Sequence, residues 1–127
     1  MSNIVPILKD EKKQSLVPSA WRCTFSEIVE GLKVGDFNFV RQLDGVRPLS
    51  IEDAARIASN IKAYGAQLTI LPEETWQTSV CQWMREYWDV LVDLYTVEEG
   101  ASDLVLAMRV YEKGSAFDFE ILSVYVP

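Results

Sequence analysis

Asp89, Asp93, Asp118 and Glu120 are the residues of this chain whose types and spacing come nearest to a chemical site. Asp89 and Asp93 lie four apart in "WDVLVDL", where apolar positions alternate with others, so a strand would turn both carboxylates to one face. Asp118 and Glu120, two apart in "AFDFEIL", would do the same. Acids grouped in this way can share protons in acid–base chemistry or, as Asp89, Asp93 and Asp118, hold a hard cation. Arg109 is expected among them, and its guanidinium already brings the positive charge that a cation would supply. The expected arrangement is therefore a structural ion ladder of Asp89, Arg109 and Glu120, with no catalytic residue, no metal and no cofactor. The acids of "PEET" and "VEEG" read as solvated loops.

Other chemistries lack their residues. The chain has no histidine, which removes the commonest general base, nucleophile activator and metal ligand. Cys23 and Cys81 have no pairing that makes a zinc site, and both read as buried free thiols. The six glycines are scattered and cradle no phosphate. No G-x-S-x-G element is present. These features point away from an enzyme.

Charge narrows the partners. The formal net charge is −7. Residues 1–72 hold nine Lys/Arg against eight Asp/Glu, and residues 73–127 hold three against eleven. Phosphate repulsion would oppose nucleic-acid binding by the second half. An acidic surface suits solubility or a basic protein partner. No apolar run approaches the roughly 20 residues that cross a bilayer, so no membrane partner is expected. The start, "MSNIVPILKDEKKQ", lacks the basic opening and long apolar stretch of a secretory signal. A cytoplasmic protein is the expectation.

The elements that must position these residues follow from period and punctuation. Residues 1–20, interrupted by Pro6 and Pro18, read as an arm, and 21–127 as one domain. A first helix is expected to start at a Thr24/Glu27 capping box, carry Phe25, Ile28, Val29 and Leu32 on one stripe, and stop at Gly35. The shape of residues 37–43 stays open, and Asp44-Gly45 marks a turn. A second helix opens on Ser50 as N-cap and stops at Gly65. "QLTIL" is a short strand candidate, and "TWQTSVCQWM" fits a strand or a helix, with a strand favoured by its β-branched and aromatic residues. Residues 87–96, 103–113 and 116–126 read as strands. Gly114-Ser115 suits a two-residue hairpin turn, which pairs Glu112 with Phe117, Val110 with Phe119 and Arg109 with Glu120. The preceding loop pairs Leu94 with Leu104 and Asp89 with Arg109. The fold class is α+β: two helices packed on one face of a four- or five-stranded antiparallel meander.

In that register the helix-covered side collects Trp88, Val90, Val92, Leu94, Leu104, Leu106, Met108, Val110, Phe117, Phe119, Ile121 and Tyr125. The reverse side carries Tyr87, Leu91, Tyr95, Val105, Ala107, Tyr111, Leu122 and Val124 among the acids, joined by Trp76, Val80 and Met84 if the uncertain segment is a strand. So many large apolar groups on an outer face mark a contact surface. Tyr87, Asp93, Tyr95, Tyr111 and Asp118 are its candidate binding residues. Its cover is a protein partner, a second copy of the chain, or the arm through Ile4, Val5, Ile7 and Leu8. A different function, a small-molecule or enzymatic pocket between helices and sheet, would be lined by Ser123 and Tyr125 with Trp83 or Trp88.

The stretch "ETWQTSVCQWMREYWDVLVDLYTVEEGASDLVLAMRV" and the ending "FEILSVYVP" resemble a family of small uncharacterised bacterial proteins, most specifically in "WDVLVDL", "EEGASDL" and "VYVP". The resemblance implies a bacterial, self-contained domain with no assigned activity, so it transfers no site residue. The helix-then-meander order is also similar to cystatin-like folds, and the size and acidity to immunity proteins of bacterial toxin systems. Both are likenesses of architecture, which do not carry function.

Overall fold

The computed structural model describes residues 4–127; residues 1–3 of the expected arm lie outside the described residues. In chain order the elements are β1 (Ser15–Leu16), α1 (Arg22–Val34), α2 (Phe37–Arg41), α3 (Ile51–Tyr64), β2 (Val80–Trp83), β3 (Trp88–Thr96), β4 (Gly100–Lys113) and β5 (Ala116–Tyr125). The five strands form one antiparallel sheet in sequential order. Helices cover one of its faces, so the class is α+β.

Local chemistry sets the helix ends. Gly35 and Gly65 take left-handed dihedrals, φ 73° and 84°, and stop α1 and α3. The Ser50 hydroxyl accepts from the Asp53 amide at 3.0 Å and opens α3. The start of α1 differs from the expected capping box. A 3-10 turn, Ser19–Trp21, runs straight into the helix, so Thr24 already lies inside it and caps nothing. Glu27 instead accepts from the Cys23 thiol at 3.4 Å. Residues 37–41 form α2, opened by the Asp36 carboxylate on the Phe39 amide at 2.9 Å.

α1 lays Phe25, Ile28, Val29 and Leu32 on the sheet, and α3 adds Ile57. Trp21 and Trp88 meet edge to face at the centre, 5.2 Å apart, with Phe117 and Phe119 around them. Such pairs contribute about 0.5–1.5 kcal/mol beyond the area they bury. The segment "QLTIL" makes no strand. Leu68 forms a single bridge to Thr96 before Pro72 turns the chain away. Of residues 75–84, only Val80–Trp83 is a strand. Glu73–Gln77 is a 3-10 turn, which sends Trp76 into the core against Phe25 and not to the outer face.

Register agrees with expectation at the hairpin: Glu112 faces Phe117, Val110 faces Phe119, and Arg109 faces both Glu120 and Asp89. Two irregularities depart from it. The first lies between Asp93 and Tyr95, so the expected Leu94–Leu104 pair is lost. There Ser102 Oγ donates to the Leu94 carbonyl at 2.7 Å and accepts from the Leu104 amide at 3.2 Å, which satisfies the disturbed backbone. The second follows Ile121. Met108 pairs with Ile121, but Ala107 pairs with Ser123, so Leu122 is an extra residue and the alternation inverts beyond it. Val124 therefore enters the core at 0% exposure, while Tyr125 turns outward at 38%. Both had been expected on the opposite sides.

The arm does not lie across the outer face either, reaching it only at the β1–β2 margin, where Leu16 pairs with Val80 and the Glu11 carbonyl accepts from Gln82 Nε2 at 2.9 Å. It crosses the end of the core side. The Leu8 carbonyl accepts from Trp88 Nε1 at 2.9 Å, Ile7 packs on the core, and Lys9 lies 5.2 Å from the Trp83 ring and 2.9 Å from Glu112. Ile4 and Leu8 stay exposed.

Candidate functional site

Pairing across five strands arranges the outer face in rows. One row is Leu16, Val80, Leu91, Ala107 and Ser123. The next is Gln82, Asp89, Arg109 and Glu120. On the other side of the apolar row lie Asp93, Val105 and Tyr125. Beyond the charged row stand Tyr111, paired with Asp118, and Tyr87, whose ring is 5.7 Å from that of Tyr111. Val105 and Ala107 are nearly buried and form the floor, while Leu16 at 42% and Tyr125 at 38% stand open to solvent. Met84, 43% exposed, follows the end of β2. Tyr95 continues the outer positions of β3, opposite Ala101.

The charged row is only partly the ladder expected. Arg109 Nε lies 3.4 Å from Asp89 Oδ1, and its guanidinium sits over the Tyr87 ring at 4.4 Å. Glu120 faces Arg109 in register yet forms no ion pair with it. Its carboxylate accepts from the Tyr111 hydroxyl at 3.1 Å and meets Arg47 at 3.5 Å. Arg47 had no place in the sequence reading. It arrives because residues 45–47 run alongside β5: Phe119 N donates to the Gly45 carbonyl at 2.7 Å, and Arg47 N to the Phe119 carbonyl at 2.8 Å. Gly45, at φ 76°, supplies the turn. Arg47 then covers the Tyr111 ring at 4.0 Å and reaches Asp118 at 3.4 Å, and Lys113 also meets Asp118 at 3.3 Å. The strongest influence on Arg109 is the Tyr111 hydroxyl, which raises its pKa. Burial opposes this, and Tyr87 and Asp89 add to it.

Three acids, Asp89, Asp118 and Glu120, thus meet three bases, Arg47, Arg109 and Lys113, and the face is nearly neutral, in contrast to the second half of the chain as a whole. Asp93 is the acid left over: among the described residues its carboxylate forms no ion pair. Its backbone is fixed, with the amide donating to Ser79 Oγ at 2.9 Å and the carbonyl accepting from Thr75 Oγ1 at 2.6 Å. Of the expected binding residues, Tyr87, Tyr111 and Asp118 come together around the two arginines. Asp93 and Tyr95 lie apart from them across the apolar row.

The edges of the sheet are largely occupied. Along β5, residues 45–47 are followed by Arg56, which donates to the Leu122 carbonyl at 2.7 Å, and by Asn60, which donates to the Val124 carbonyl at 3.0 Å. Beyond β2, the open side of β3 is closed by Thr75 and Ser79 at Asp93, and by Thr69, whose amide donates to the Tyr95 carbonyl at 2.9 Å. Strand addition, the usual use of an open edge, finds little purchase here.

The residues expected to line a pocket are separated. Ser123 and Tyr125 belong to the outer face because of the bulge, whereas Trp83 and Trp88 belong to the core side. A surface cleft of about 410 Å³ lies elsewhere, beside Gly31, Val34, Phe39 and Ile70. The thiols differ from the expectation that both are buried. Cys23 is exposed, with its pKa raised chiefly by the hydrogen bond to Glu27. Cys81 is buried, and burial pushes it up to about 11.

Fold and site together define a helix-backed antiparallel meander whose outer sheet face is bare, patterned and close to charge balance. The chain belongs to the family of a domain of unknown function, DUF7668, whose model matches residues 29–127. No curated protein and no solved structure matches it. The family match begins within α1, so Val17, Trp21 and Phe25, all in the core, lie outside it.

Proposed function

We propose that this domain is a non-catalytic protein-interaction module that works through its outer sheet face, in the cytoplasm of a bacterium. The observation that supports this reading is a contrast between surfaces. One face of the sheet is roofed by helices and its edges are largely stitched shut, while on the other face Leu16 stands open and Val80 and Leu91 are partly exposed beside the buried floor of Val105 and Ala107, with charged residues on either side. Exposed apolar area rimmed by polar groups is what contact sites look like. Free thiols at Cys23 and Cys81 fit a reducing compartment, and the resemblance to bacterial proteins supplies the setting. An immunity-like role, in which the face occupies a toxin, is one form such a module takes.

Leu91→Arg tests the reading, because Leu91 is the centre of the row and only half buried. The variant should keep its melting temperature to within the few degrees that about 1 kcal/mol produces. In crude extract, the tagged wild-type chain should elute above monomer mass and the variant at monomer mass. Identical elution of the two would remove the proposal.

A further inference from the structure

We infer that the occupant of the outer face is a basic segment of another protein, anchored where the face meets the end of α3. This deepens the reading above and rests on it. A groove of about 370 Å³ opens there, lined by Asn60, Ala63, Tyr64, Leu104, Tyr125 and Val126. Most of the lining is apolar, and the Asn60 amide is already engaged with the Val124 carbonyl. Leu104 is buried, while Tyr125 at 38% and Val126 at 51% exposure remain open to solvent. Tyr125 also ends the outer row that runs through Val105 to Asp93, so groove and face are continuous.

Charge decides the occupant. At the other end of the face, Asp89, Asp118 and Glu120 are met by Arg47, Arg109 and Lys113. At the groove the acids have no base. The Tyr64 hydroxyl donates to Glu99 at 3.0 Å and accepts from the Asp103 amide at 3.2 Å, which sets both acidic residues on the rim. Among the described residues neither forms an ion pair, nor do Asp93 and Glu98. The cause lies in the sequence: residues 63–84, 86–108 and 121–127, from which this end is built with the last turns of α3, contain no lysine or arginine. Lys62 is adjacent in sequence, but it lies on the α1 side of α3, in a cleft with Leu32 and Phe37. Acids held together without counter-charges favour a cation. A metal ion is not that cation, because among the described residues no three acids group as its ligands. Charge spread along an apolar groove suits Lys and Arg side chains that flank one apolar residue. The apolar residue fills the groove against Leu104 and Val126. The long basic side chains reach Asp103 and Glu99 on the rim and Asp93 on the face, and the Tyr125 ring offers a surface for a guanidinium. The same acids repel nucleic acid.

The probe is a fluorescein-labelled peptide with one leucine between two Lys-Arg pairs. Two controls have the same length, one with glutamates in place of the basic residues and one with serine in place of the leucine. By fluorescence anisotropy on the full chain, the leucine peptide should bind, and each control about tenfold or more weakly. Asp103→Lys, on the rim, should weaken the leucine peptide about tenfold or more. Glu52→Lys makes the same charge change at an exposed, unpaired acid in the first turn of α3, about 18 Å along the helix from Tyr64, and should leave binding within about twofold. Val126→Ser should weaken the leucine peptide and leave the serine control unchanged. Circular dichroism melts first establish that the variants fold. Should Asp103→Lys fail to, Asp103→Asn replaces it, with a smaller loss in the same direction. Equal losses from Asp103→Lys and Glu52→Lys, or equal binding of all three peptides, would overturn the inference. So would a leucine peptide that does not bind. If that failure comes with loss of the extract complex in Leu91→Arg, the face keeps a partner of other chemistry. Peptide binding with an unchanged extract complex keeps the groove and removes the wider face.

Discussion

Trp88→Ala is expected to destabilise the domain by about 3–5 kcal/mol, the range for truncating a large buried aromatic. Trp88 has no exposed surface, and its ring meets Trp83 at 4.5 Å, Trp21 at 5.2 Å and Phe117 at 6.0 Å. It belongs to β3, yet it touches α1's lead-in turn, β2 and β5, so its removal leaves a cavity that no single element can collapse into. The indole also holds the arm, through Nε1 on the Leu8 carbonyl. Urea unfolding should show a lower midpoint, with the slope nearly unchanged if the native state stays compact. Trp88→Phe should recover most of the loss, less the hydrogen bond, worth about 1 kcal/mol. A Trp88→Ala loss below about 1 kcal/mol would mean that the aromatic centre is not packed as described.

Val124→Asp is expected to be nearly as severe, at about 3 kcal/mol or more, and Tyr125→Asp close to neutral, within about 0.5 kcal/mol. The bulge at Leu122 decides this. Strict alternation from Phe117, Phe119 and Ile121 would put position 125 inside and 124 outside. The extra residue reverses them, so a carboxylate at 124 enters an apolar environment with no cation to meet it. The comparison should be made on the purified chain, because Tyr125 belongs to the face proposed for contact. Equal effects at the two positions, or the reverse order, would place the bulge elsewhere.

These two residues also show where the sequence was readable. Gly114-Ser115 and the opposite charges of Asp89, Arg109 and Glu120 placed the β3–β4–β5 register, because a tight turn and cross-strand pairs are local or nearly so. Ser50, Gly35 and Gly65 marked helix ends for the same reason. Leu122 carried no such mark. A bulge without glycine is chosen by packing, here of Val124 beneath α3, whose Asn60 holds the Val124 carbonyl. Trp76 misled because a 3-10 turn and a strand are both compatible with "TWQTS". Only the core space beside Phe25 separates them. Arg47 was missed for a third reason: its partners Asp118 and Glu120 lie some 70 residues away, and only the short pairing of residues 45–47 with β5 brings it there. The acids were legible as a group, but their near-neutralisation around Arg47 and Arg109 was not, and that moves the unpaired charge to the Asp93 end of the face.

On the function proposed above, the outer sheet face is where this domain meets another chain. A photoreactive amino acid placed at Leu91, with a control at the 76% exposed Ile51 of α3, tests it in living cells. Irradiation should give one discrete adduct from position 91 and none from position 51. No adduct from position 91, or the same adducts from both positions, would contradict the claim.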